Sequence, residues 1–364
     1  MSWPRSRNLR RIELAAFVIC CATTAALTDG APVARTLRDG VSDQAPVRVS
    51  PGTLEVLKAV DSLAPHVVGL FRDPIGFKQT ANGDYYVFDR RGHTVYRIDP
   101  SGENATKLVQ IGAEEGRLIE PSAFDVANNG SFAVADGPNG RERVSIFNAA
   151  GGWTGGFFLP GRGASRVVLG SLALNGVGTL SYNGRSLLMS HPETGWLMTE
   201  SGTAGIPIRT IGRLRKTGHE ADRDLHLALN SGIPIADPSG GFYFVFMAGQ
   251  PAFRKYDASG ALVYERLIQG REIDPLIEAI PDRWPRRAAG ELPLVAPTIR
   301  TAAVDRAGRL WVSFVIPYSY AYDAGGDKIR TLQFRAAGVI SPSSLWFNEK
   351  GRVLVTPGCY EFAP

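Results

Sequence analysis

Side chains able to do chemistry are thinly spread along this chain. Asp73, Glu120 and Asn230 each stand just before an apolar run and offer hard oxygen donors of the kind that bind Ca²⁺ or Mg²⁺ when they converge. Arg72 and Arg300 fall at similar places. Two guanidiniums at that height would repel a cation and could instead receive an anion through paired N–H donors. The five histidines add no metal motif. His219 and His226 are not at the four-residue spacing of a helical zinc pair, and His66, His93 and His191 are scattered. No GxSxG elbow, CxxC pair or phosphate-binding loop is present.

What must position those residues is a repeat. Residues 121–151, PSAFDVANNGSFAVADGPNGRERVSIFNAAG, alternate apolar and polar side chains over three short runs split by Asn129-Gly130 and by Gly137-Pro138-Asn139-Gly140. Period-two alternation bounded by such turns is the strand-and-hairpin signature. The first turn recurs as Asn82-Gly83, Asn183-Gly184, Ser239-Gly240, Ala307-Gly308 and Lys350-Gly351, each followed by an apolar run. A second turn recurs at Gly102, Gly151, Gly202, Gly260 and Gly326. A further strand after each second turn makes four antiparallel strands per unit, a propeller blade buried on both faces against its neighbours. The sixth unit holds only three strands, so an exposed blade edge needs a partner. The run 66–71 is the expected closing strand. The fold expected is therefore all-β, a six-bladed β-propeller of four-stranded antiparallel blades, with an N-terminal strand completing the last blade.

The unit resembles the NHL-type repeat of six-bladed propellers, a TolB-like architecture, best over 121–151 and 74–102 and loosely in the third and fourth units, where only the turns are kept. The resemblance covers about 66–364. It implies the fold and, because such propellers serve diverse functions, little about activity. Related six-bladed lactonases and hydrolases imply a channel metal, for which Asp73, Glu120 and Asn230 are the candidates here.

Two connections between units, 212–229 and 270–297, are long, and loops of that length in a compact domain carry function or lack fixed structure. They are expected to border the channel mouth, with His226, Trp284 and basic clusters around Arg213 and Arg286. The ligand-binding set expected there is Arg72, Asp73, Glu120, His226, Asn230, Trp284 and Arg300.

The first 26 residues read as an export signal, with Arg5, Arg7, Arg10 and Arg11 before an apolar run and Thr24-Ala25-Ala26 at its end. Its removal takes four Arg and one Glu from a formal charge of +5, leaving +2. That balance excludes an argument for nucleic-acid binding from charge. Of three cysteines only Cys359 remains, so no internal disulfide can form and a buried small hydrophobe is expected there. Residues 27–64 read as a flexible spacer, with 53–63 a short helix or an irregular strand, and 65–364 as the propeller. The functional expectation is an exported, periplasmic or extracellular, monomeric module that binds a protein or small molecule at the channel mouth without a cofactor. Membrane attachment would come only through an uncleaved signal. The competing expectation is a metal-dependent hydrolase or lyase, lactonase-like, using Ca²⁺ or Mg²⁺.

Overall fold

The computed structural model describes residues 53–364 apart from 160–165, 170, 171, 176 and 289. The expected export signal and residues 27–52 lie outside the described residues.

The chain folds as an all-β propeller. Four of its sheets are four-stranded antiparallel blades running Pro74–Gln79 to Ala105–Lys107, Ala123–Val126 to Trp153–Phe158, Leu180–Tyr182 to Pro207–Arg213, and Gly232–Ala236 to Leu262–Leu267. The second strands are buried throughout, as in Phe132–Asp136 and Phe242–Phe246, because each is covered by a neighbouring blade on both faces. The turns follow from side-chain chemistry. Asn129 Oδ1 accepts the N–H of Ser131 at 3.0 Å, and Asp237 and Asp305 do the same for Ser239 and Ala307 at 2.9 and 3.0 Å. Such Asx turns bring a left-handed residue next, which Gly130 supplies at φ 82°. In the third blade the second turn falls later than expected: the strand Trp196–Gly202 runs through Gly202, and Gly205 takes the positive φ.

Most of the other strands form a nine-stranded sheet, beside one small three-stranded and one two-stranded sheet. The nine-stranded sheet runs from Ile299–Val304 through Leu310–Phe314 and Ser319–Tyr322 to Lys328–Arg335, then to β1 (Leu54–Ser62), then to Tyr360–Phe362, Val353–Thr356 and Ser344–Phe347, with the ninth strand, Val339–Ile340, pairing Lys328–Arg335 off this path. Leu54 to Lys58 pair in parallel with Thr331 to Arg335, and Ala59 to Ser62 pair antiparallel with Phe362 to Tyr360. The Arg330 guanidinium grips the Glu55 carboxylate with bonds of 2.9 and 2.5 Å. β1 is thus the strand that covers the edge of the last unit, and the run 66–71 is not. Pro65 opens a short helix, α1 (Pro65–Val68), where the missing proline N–H is harmless. Part of the stretch read as a spacer is accordingly built into the sheet.

Apolar clusters join each sheet to the next. Phe88, Phe124 and Phe132 link the first two blades, and Phe253, Phe314 and Tyr322 link the fourth to the nine-stranded sheet. Leu63, Val67, Phe77, Leu354 and Cys359 join the first blade to the last strands of the chain. Burial pushes the Cys359 thiol far up, so it is protonated and packs as a small hydrophobe.

Candidate functional site

The innermost strands of the sheets surround a channel with a cavity at each end. The upper cavity, about 600 Å³, lies where the innermost strands begin. Its wall is largely apolar, from Ile75, Phe124, Leu180, Ile233, Ile299 and Leu345. Arg72, Asp73, Arg90 and Arg300 line it too. The Asp-Pro step at 73–74 starts the first blade, and Arg300 is the second residue of the strand Ile299–Val304, which is how the fold lifts both arginines to the same rim.

The rim charges are unequal. Arg90 donates to Asp73 Oδ2 from Nε at 2.9 Å and approaches the same oxygen with Nη2 at 2.7 Å. That two-pronged pair neutralises Asp73, the one carboxylate on the cavity wall among the described residues. The backbone N–H groups of Arg72 and Asp73 donate to Asp89 at 2.9 and 2.8 Å, which ties the segment carrying the rim to the second strand of the first blade. The Arg72 guanidinium makes no ion pair among the described residues, and Arg300 makes a single 3.4 Å bond to the Ser341 carbonyl. Both side chains are exposed at the mouth.

The remaining expected residues lie elsewhere. Glu120 is exposed, takes a left-handed φ of 49°, and is not part of the cavity wall. Asn230 is fully buried and its amide is spent: Oδ1 accepts the Arg215 N–H at 2.8 Å, and Nδ2 donates to the Arg215 and His226 carbonyls at 3.2 and 2.9 Å. It ends the helix α2 (Arg223–Leu229). His226 sits on that helix with Nδ1 2.8 Å from Thr217 Oγ1. Trp284 packs with Leu225, Leu229, Ala248 and Val295. Arg286 donates to both oxygens of Asp222, at 2.6 and 2.5 Å, and Arg215 caps α2 by donating to the Leu229 and Ala248 carbonyls. Parts of the two insertions therefore pack on each other while Leu214, Ile273 and Ile277 join the clusters between blades, and only Pro297 of the two insertions reaches the cavity wall.

The metal set fails on this geometry. Asp73 is tied to Arg90, Asn230 is buried off the wall with its oxygen on the Arg215 N–H, and Glu120 is off the wall too. Among the described residues no three His, Cys, Asp or Glu side chains gather as a metal site would require.

Sequence reasoning missed the centre of the channel. Lys78 lines both cavities and is paired with Asp125. The lower cavity, about 520 Å³, also takes in Tyr182, Asp237, Trp346 and Phe347. Burial would push Asp237 up, but hydrogen bonds from Lys255 and Ser239 win and hold it below the usual carboxylate range. The available signal was a lone charged residue inside each apolar strand, Lys78 between Phe77 and Gln79 and Asp125 between Phe124 and Val126.

No family model matches this chain. A protein of Caenorhabditis elegans named as a probable peptidyl-alpha-hydroxyglycine alpha-amidating lyase is 35% identical over 88 residues, which are 23% of this chain and 25% of that protein. The chain thus spans about a quarter of the length of that curated relative. Among solved structures, virginiamycin B lyase from Staphylococcus aureus covers 84% of this chain and 87% of its own at 11% identity and a TM-score of 0.46. A protein of unknown function from Bacteroides thetaiotaomicron covers 80% of this chain and 70% of its own at 13% identity and a TM-score of 0.50, a likeness of fold.

Proposed function

We propose that this protein is an exported six-bladed propeller, of the NHL-like kind, that binds a small organic anion in its upper cavity. The blade count follows if β1 is taken as the seam between two blades within the nine-stranded sheet. Cleavage of residues 1–26 would release it outside the cytoplasm as a monomer. Among the described residues no helix is long and apolar enough to cross a membrane.

One observation carries the binding reading: among the described residues, Arg72 and Arg300 stand at the mouth with their charges unmatched, while the only carboxylate on the wall is paired with Arg90. Below them lies an apolar girdle of the size that small-molecule sites have. A carboxylate with an apolar body matches both parts. Octanoate should therefore bind by calorimetry at low salt and octanol should not. Arg72→Ala and Arg300→Ala should each weaken octanoate by about tenfold, the worth of a charge-assisted pair. Equal binding of octanol, or octanoate affinity indifferent to both substitutions, would refute the reading.

A second reading, a lyase, is supported by the 88-residue likeness to the amidating lyase. A peptidyl-α-hydroxyglycine ends in a carboxylate that the same arginines would receive. Amide product forming faster than in buffer from such a peptide would establish it. No acceleration, with or without added divalent metal, would remove it.

A further inference from the structure

The floor of the arginine-rimmed cavity carries a second charge pair, and it differs from the rim. Lys78 lines the upper and the lower cavity alike, so its side chain stands at the waist between them. Its ammonium makes one hydrogen bond among the described residues, to Asp125 Oδ1. Asp125 is only 5% exposed and its carboxylate is otherwise engaged. The Val126 N–H donates to Oδ1 at 2.7 Å and the Tyr182 N–H donates to Oδ2 at 2.7 Å. Three donors hold the carboxylate, whereas an ammonium has three N–H groups and here uses one. The pair as a unit is neutral, yet it keeps donors for whatever enters the channel.

A ligand anchored at the rim and reaching this floor meets a donor without a net charge. A second carboxylate there would be drawn to Lys78 and repelled by Asp125, which lines the lower cavity behind it and cancels much of the ammonium's charge, so its desolvation would go largely uncompensated. A neutral carbonyl or amide oxygen is far easier to desolvate and accepts the same N–H groups. We infer that the upper cavity selects a monoanion whose far end carries a neutral hydrogen-bond acceptor, such as an amide-terminated carboxylic acid, and that Asp125 rejects dianions by neutralising Lys78. The inference rests on the arginine rim being an anion site.

The experiment uses the intact chain and three probes of one length, octanoate, suberate and suberic acid monoamide, titrated by calorimetry at a pH where all carboxyls are ionised. The wild-type protein should bind the monoamide about tenfold or more tighter than suberate, the factor expected of one uncompensated buried charge. Asp125→Asn frees the Lys78 charge, so suberate should equal or overtake the monoamide. Lys78→Met removes the donors, so the monoamide should lose its advantage over octanoate. Suberate binding as tightly as the monoamide in the wild-type protein overturns the inference with no variant needed. A monoamide-to-suberate ratio unchanged by Asp125→Asn overturns the role of Asp125. If octanoate binds and depends on Arg72 and Arg300 while either of those results appears, only this inference fails. If octanoate binding ignores both arginines, the anion site itself is wrong and the inference falls with it.

Discussion

Glu142 is a carboxylate the protein holds at a cost. It is 7% exposed, one oxygen accepts the Val177 N–H at 3.0 Å, and Oε2 has no partner among the described residues. Burial, helped by the charge of Glu193 and opposed by the Val177 bond, pushes it up to about 7 from an ordinary value of 4.5. A group whose folded value is raised binds more protons in the folded state, so its contribution is full below pH 4.5 and is lost as pH rises through 7. The loss is on the order of 3 kcal/mol. Glu142→Gln keeps an oxygen for Val177 and cannot ionise. The variant should therefore gain stability over the wild-type protein by roughly 2–3 kcal/mol at pH 8 relative to pH 5, read by urea denaturation. A difference that does not change with pH would show that Glu142 is not ionising in the fold. The residue also reaches the site, because Val177 leads into Gly178 and Thr179 on the wall of the upper cavity, and its carbonyl accepts the Ser122 hydroxyl at 2.8 Å.

At the scale of elements, the insertions and the blades divide the work. Trp284 and α2 pack on each other with Met247 beneath them, away from the rim. Trp284→Ala should lower stability by about 2 kcal/mol, less than the 3–5 kcal/mol typical of a fully buried Trp because this one is half-buried. It should leave octanoate affinity within about twofold, since Trp284 is not itself on the cavity wall and only Met247 stands between. A large loss of affinity would place the insertions in the site after all. This division explains what could be read early. Blades around 74–102 and 121–151 announce themselves through local signals, period two and Asx–Gly turns, and Asp73-Pro74 marks the start of an innermost strand. Arg72, Asp73 and Arg300 were legible for that reason. The Lys78–Asp125 pair was not, because its members are 47 residues apart and meet only when two blades stand side by side. Asn230 misled because a helix end and a strand start look alike in one line of sequence, and its amide serves the helix.

At the scale of the molecule, β1 ties parts of the chain that no local signal connects. Its exposure alternates from Leu54 to Val60, but its apolar residues do not follow that period, because Leu54, Val56 and Val60 are exposed while Glu55 is half-buried, and neither partner strand lies near it in sequence. Leu57 anchors it among Trp311, Phe334 and Val353. The clusters between blades act chiefly on nearest neighbours, so damage at one seam should loosen the adjoining sheets before the distant ones. Leu57→Pro would fix φ, remove a ladder N–H and strip the anchor at once. Hydrogen exchange should then speed up by about tenfold or more in Lys328–Arg335 and Tyr360–Phe362, the strands that β1 bridges, and in Val353–Thr356 paired behind the latter, as a sub-global opening of lower free energy becomes available. Phe132–Asp136, in the second blade, should keep its wild-type protection within about twofold. Unchanged exchange at 353–362 would mean that β1 does not close the propeller. An equal acceleration everywhere would mean that the sheets open only together, and the seam at β1 would then set the stability of the whole ring.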